Sequence, residues 1–138
     1  MRLAVVGTGY VGLVTGTCFS DFGNDVICVD NDAGKIEGLR SGHVPIYEPG
    51  LDELIRRNAA EGRLSFTTDL AEAVEKSEIV FVAVGTPSSD DGSADLSNVF
   101  AVVRKLASIA ASPKILVIKS TVPPGTARRV RDLLEKES

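Results

Sequence analysis

Three glycines in the run Gly7-Thr8-Gly9-Tyr10-Val11-Gly12 follow directly on the apolar stretch Leu3-Ala4-Val5-Val6. An acidic residue, Asp30, closes a second apolar run eighteen positions beyond Gly12. These residue types at this spacing suit the recognition of a pyrophosphate joined to a ribose. Gly7 permits a tight turn out of a strand, Gly9 lets the backbone approach the phosphates, and Gly12 lets the following helix lie close on its sheet. A helix opening at Tyr10 and Val11 aims its unpaired N–H groups and the positive end of its dipole at the phosphates. The Asp30 carboxylate then accepts hydrogen bonds from a ribose diol.

Other side chains bear on the same chemistry. Asp30-Asn31-Asp32 places two acids and no arginine where a 2′-phosphate would sit, which favours NAD over NADP. Lys35, one turn into the next helix, is able to reach the adenosine side, although a solvated surface lysine satisfies the sequence as well. Thr86 in Val84-Gly85-Thr86-Pro87 and Thr121 in Ser120-Thr121-Val122-Pro123-Pro124-Gly125 each set a hydroxyl beside rigid proline at the end of an apolar run. Such a hydroxyl can meet a sugar or a nicotinamide, or simply close a turn. Cys18 and Cys28 both lie in apolar company and are expected as reduced core thiols. His43, the single histidine, has no cysteine or second histidine near it, so no metal site is expected.

The elements that must position these residues follow from periodicity. With 138 residues, 43% of them hydrophobic and 25% charged, the chain is able to bury one core, and a single domain over 1–138 is expected. Fifteen basic against nineteen acidic residues, with no basic stretch longer than Arg128-Arg129, leave no footprint for nucleic acid. No apolar run approaches the roughly 18 residues of a membrane span, and a cytoplasmic location is expected. Apolar runs at 2–6, 25–30, 64–67, 78–84 and 114–119 alternate with helical patterns, which predicts a parallel α/β sheet; with the glycine motif this is the doubly wound type, whose strand order is 3-2-1-4-5-6. The continuous runs at 79–84 and 115–118 predict strands covered on both faces.

Between them, a first helix over 10–22 is expected to bury Val11, Val14, Cys18 and Phe22, with Gly12 and Gly16 as a small-residue strip. A second helix spans about 32–41. Val44-Pro45-Ile46-Tyr47-Glu48-Pro49-Gly50 reads as a loop of fixed shape before a short helix carrying Leu51, Leu54 and Ile55, and this insertion is longer than a strand-helix-strand unit needs. Asp69 and Glu72 have the spacing of a capping box for a helix ending near Lys76. A helix over 95–111 presents Leu96, Val99, Phe100, Val103, Leu106, Ala107 and Ala110 on one face. Pro124 suits the first turn of a last helix that buries Val130, Leu133 and Leu134.

Taken in order, several stretches resemble the N-terminal NAD-binding domain of the UDP-glucose and GDP-mannose dehydrogenase family over essentially all 138 residues. They are 7–13, Val29-Asp30 with Lys35, Pro45-Ile46-Tyr47-Glu48-Pro49-Gly50-Leu51, Gly62-Arg63-Leu64 leading to Thr67-Thr68-Asp69, 84–87, Asp91-Gly92-Ser93-Ala94-Asp95-Leu96 and 120–126. The wording of 46–49 and 91–95 is closest to the UDP-glucose branch, with the GDP-mannose and UDP-N-acetylhexosamine branches as alternatives.

The resemblance implies a Rossmann-type sheet, cut before its sixth strand, with cofactor contacts at Val11, Asp30, Lys35, Thr86 and Thr121 besides the glycine turn and Tyr10. It also implies oxidation of C6 of a sugar nucleotide by two successive hydride transfers to NAD, with a cysteine holding the intermediate, in nucleotide-sugar metabolism and polysaccharide biosynthesis. Neither Cys18 nor Cys28 matches that cysteine's glycine-rich context, so no catalytic residue is expected in this chain. The central helix and the substrate domain that would take UDP-glucose are expected beyond position 138. On that reading the isolated chain binds NAD without turnover, and the unpaired strand at 115–118 invites self-association.

Two other functions compete. A class I methyltransferase also places glycines after strand 1 and an acid after strand 2, but the full G-x-G-x-x-G spacing suits a pyrophosphate better than a sulfonium. A non-catalytic NAD-binding module would need no nucleophile at all.

Overall fold

A computed structural model describing residues 1–137 shows one parallel sheet with three helices on each face. The elements are β1 (Arg2–Val6), α1 (Tyr10–Asp21), β2 (Asp25–Val29), α2 (Ala33–Arg40), α3 (Leu51–Ala60), β3 (Leu64–Thr67), α4 (Leu70–Glu75), β4 (Ile79–Val82), α5 (Ser97–Ile109), β5 (Ile115–Ile118) and α6 (Thr126–Glu137). The strand order is β3-β2-β1-β4-β5, the first five strands of the doubly wound order expected. Val5 is in register with Cys28 on one side and with Phe81 on the other, which makes β1 the centre of the sheet. No helix among the described residues is long and apolar enough to cross a membrane.

Successive side chains on a strand point to opposite faces, so β1 feeds two cores. Leu3 and Val5 pack with Leu13 of α1, Ile36 and Leu39 of α2, and Leu51 and Ile55 of α3. Ala4 and Val6 pack with Leu70, Ala73 and Val74 of α4 and Leu106 of α5. A smaller cluster of Val99, Val103 and Val130 joins α5 to α6. β-Branched residues dominate the strands because they pack well on a pleated surface buried from both sides.

Several expectations need correction. The buried face of α1 is Gly12, Leu13, Gly16, Thr17 and Ser20. Val11, Cys18 and Phe22 are exposed instead, Phe22 by 79%. The helix approaches the sheet most closely at its glycines, where nothing larger fits: a Cβ on Gly16 would lie 2.7 Å from Cys28 Sγ. With the glycine side turned to the sheet, Leu13 is the large residue buried, Val14 and Phe19 pack partly on the core, and Val11, Cys18 and Phe22 fall on the outer side. Cys28 is the core thiol of the pair, and burial pushes it up to about 12.

The run at 115–118 forms a strand open on its outer edge, as expected, but its expected cover on both faces is incomplete. Ile115 is 62% exposed and the other three residues are half-buried, because only β4 pairs with β5. Half of the capping box is present. Asp69 Oδ1 accepts from the Glu72 N–H at 3.1 Å, while the Glu72 carboxylate turns to Lys76 and the Asp69 N–H donates to Thr67 Oγ1. Pro124 lies in the turn before α6 rather than in its first turn, and Ala110 falls exposed just past α5.

The insertion between α2 and β3 is a ten-residue helix preceded by a braced loop. Val44 and Ile46 lean on the core, and Arg57 Nη2 and Asn58 Nδ2 of α3 both donate to Asp21 Oδ1 at the end of α1. The segment is thereby fixed against α1, a fact that matters at the site.

Candidate functional site

Gly7 leaves β1 with φ +107°, a backbone conformation open to glycine and strained for other residues, and its N–H donates to Val29 O at 2.7 Å. A Cβ here would lie 2.6 Å from Ala83 O, so the turn is wedged against the end of β4. Gly9 is the N-cap of α1 and has no side chain to cap it, which leaves the first-turn N–H groups available to an incoming anion. Nothing lies within 4 Å of the position its Cβ would take. That open face is what a pyrophosphate lying against the backbone requires. Gly12 works from below, where a Cβ would collide with the Gly7 carbonyl and push the turn and helix apart.

The carboxylate at the end of β2 is held in a set position. Asp30 Oδ2 accepts the Thr8 N–H at 3.0 Å and the Thr8 hydroxyl at 2.7 Å, and Oδ1 accepts the Asp32 N–H at 3.0 Å. Lys35 Nζ stands 3.9 Å from Oδ2. Burial pushes the Asp30 carboxyl up, but the bonds from Asp32 and Thr8, together with the Lys35 charge, outweigh it and hold the group below its ordinary value. The group is thus an anion with lone pairs left over for a ribose diol. Asp32 caps α2 through the Lys35 N–H at 3.1 Å.

These groups open on one cleft of about 720 Å³ along the C-terminal ends of the strands. Gly7, Gly9, Tyr10, Val11, Asp30, Lys35, Thr86 and Thr121 all line it, while Gly12 does not. Leu70, Ala101 and Val102 add an apolar wall. The two threonines meet each other: Thr86 Oγ1 donates to Thr121 O at 2.9 Å, which fastens the loop after β4 to the loop after β5. Tyr10 donates its hydroxyl to Glu48 Oε2 at 2.9 Å, and this bond together with the Glu48 charge raises the phenol above its ordinary value.

Sequence reasoning missed three contributors. Thr8 is fully buried and orients Asp30; Ser120 donates to Val84 O at 2.7 Å; and Asn98 Nδ2 donates to Gly85 O at 3.2 Å. Only Thr8 carried a signal, as a hydroxyl inside the glycine motif. Neither cysteine lines the cleft. Among the described residues no three His, Cys, Asp or Glu side chains converge as a metal centre would require.

A family model described as the UDP-glucose/GDP-mannose dehydrogenase family, NAD binding domain, matches residues 1–138. The UDP-glucose 6-dehydrogenase of Rhizobium meliloti is 53% identical over 137 residues, which cover 99% of this chain and 31% of that protein. The Pseudomonas aeruginosa UDP-glucose 6-dehydrogenase is 52% identical over 134 residues, covering 97% of this chain and 30% of that one. Among solved structures, a ternary complex of GDP-mannose dehydrogenase from Pseudomonas aeruginosa superposes with a TM-score of 0.95 at 40% identity, over all of this chain and 33% of that one. A UDP-glucose dehydrogenase from Pyrobaculum islandicum gives 0.92 at 41%, over 99% and 32%. The chain spans about a third of the length of the curated relatives it matches.

Proposed function

The chain belongs to the UDP-glucose/GDP-mannose dehydrogenase family, and from that premise we propose that it is the NAD-binding domain of an enzyme oxidising UDP-glucose to UDP-glucuronate with two NAD. The observation that carries the cofactor assignment is the Asp30 carboxylate, fixed by Thr8 beside a glycine turn whose middle residue is open. In this reading the Gly7 and Gly9 backbone and the first turn of α1, at Tyr10 and Val11, hold the pyrophosphate. Gly12 keeps turn and helix in contact. Asp30 takes the adenosine ribose, with Lys35 beside it. Thr86 and Thr121 line the side beyond β4 and would meet the nicotinamide end of the cofactor. NAD accepts the hydride when bound; this chain's own residues bind and orient it.

The 138 residues form one dinucleotide-binding domain in this proposal, and the central helix, the sugar-nucleotide domain and the nucleophile lie outside them. The relatives are about three times as long, and neither Cys18 nor Cys28 reaches the cleft. The names of the relatives at 53% and 52% identity support UDP-glucose over GDP-mannose or a UDP-N-acetylhexosamine. The free thiols and the cofactor fit the cytoplasm. The exposed edge of β5, with Ile115 outermost, is where a second copy would add a strand.

Calorimetric titration with NAD, run beside an absorbance assay for NADH with saturating NAD and UDP-glucose, tests the division of labour. Binding without sustained NADH production is expected. Turnover by the 138-residue chain would place the nucleophile within it and overturn the proposal.

A further inference from the structure

Glu48 lines no part of the cleft, yet its carboxylate accepts from the phenol of the residue that opens α1. We propose that Glu48 is a positioning residue for the cofactor pyrophosphate: by holding the Tyr10 hydroxyl, it keeps the ring beside the phosphate-binding turn instead of across it. This rests on the reading of the cleft as an NAD site.

Three observations carry it. First, Glu48 comes from a braced segment. His43 N–H donates to Gly38 O at 2.8 Å, Leu51 N–H donates to Glu48 O at 3.1 Å, and Val44 and Ile46 pack on the core. Prolines at 45 and 49 remove backbone freedom on either side. Second, among the described residues Glu48 makes no ion pair, and the Tyr10 hydroxyl has no partner besides it. The bond therefore joins a rigid strut to a side chain otherwise unheld at its tip. Third, Tyr10 is 55% exposed and adjoins Gly9, whose missing side chain leaves the turn open. A released phenol would sample rotamers that fill that opening, and NAD binding would have to displace it and order it again.

The test is calorimetric titration with NAD of the chain and of Glu48→Ala, Tyr10→Phe, the double variant and Glu48→Gln. Each of the first two should weaken NAD by about fivefold, the effect of one hydrogen bond of ordinary strength. The double variant should be no weaker than either alone, because one interaction is being removed twice. Glu48→Gln should stay within about twofold of the parent, since its amide oxygen still accepts the bond. Urea midpoints are read on all five; if Glu48→Ala loses stability, Tyr10→Phe, which deletes only the hydroxyl, carries the test. Parent-like affinity in Glu48→Ala and Tyr10→Phe, additive losses in the double variant, or a Gln variant as weak as Ala would overturn the proposal while leaving the cofactor site standing. Absence of NAD binding by the parent chain would overturn both.

Discussion

A Cβ placed on Gly12 would stand 1.9 Å from the carbonyl oxygen of Gly7, whereas one on Gly9 would meet nothing within 4 Å. The outer two glycines of the motif are therefore bound to each other by packing, and the middle one faces open space. Gly12→Ala should destabilise the fold by about 3 kcal/mol, because backbone cannot yield as a flexible side chain does. Gly9 is extended at φ −74° and ψ −165°, so alanine is tolerated there. Gly9→Ala should keep stability within about 1 kcal/mol yet weaken NAD by about tenfold or more. Urea unfolding and calorimetry on the two variants separate folding from binding; matching losses of stability in both would contradict the division.

Asp30→Ala should weaken NAD by about 10- to 100-fold, since charge-assisted bonds to a ribose contribute roughly 1.5 to 3 kcal/mol. The parent chain should prefer NAD to NADP, and the variant should lose most of that preference. Titrations with both cofactors check it, and equal affinities in the parent would sink the assignment.

The same carboxyl predicts an acid limb. Its folded value lies below the ordinary 3.8, so its contribution is present above that value and fades as pH falls through the lowered folded value. Removing the Thr8 hydroxyl by Thr8→Val should raise the folded value of Asp30 and move the loss of both stability and NAD affinity to higher pH. Unfolding and binding followed from pH 7 downward test the direction. An acid limb in the variant that overlays the parent's would show that Thr8 does not hold the charge.

Thiol chemistry should distinguish the two cysteines. Cys18 is exposed, whereas Cys28 is fully buried beneath Gly16 with its thiol pushed up to about 12. A small aromatic disulfide reagent at pH 8 should modify one thiol in the native chain and two in urea. Two fast-reacting thiols in the native protein would mean that α1 does not seal Cys28.

Much of the site was legible because its demands are local. A glycine turn, a helix start and an acid at the end of the next strand are imposed over a few residues each, so Gly7, Gly9 and Asp30 could be read from spacing, and the dinucleotide fold that this motif belongs to carried the order β3-β2-β1-β4-β5. The partners of these residues were not legible. Thr8 meeting Asp30, Thr86 donating to the carbonyl of Thr121, and Tyr10 reaching Glu48 join positions 22, 35 and 38 apart along the chain.

The face of α1 is the clearest case of a decision left to the tertiary structure. Periodicity alone assigned Val11, Val14, Cys18 and Phe22 to the core, and only Val14 packs there, because periodicity ranks residues by hydrophobicity and takes no account of the distance between helix and sheet. Here that distance is set by Gly16 against Cys28 and Gly12 against the turn, so the side carrying the two glycines faces inward and Leu13 is the large side chain it buries. Sequence by itself determined where the glycine turn, the helix start and the acid at the end of β2 fall, since these rest on local backbone geometry, and the fold pattern they belong to carried the strand order. Only the assembled structure decided which side chains hold those residues in place, because hydrogen bonds between distant segments depend on how closely the layers pack.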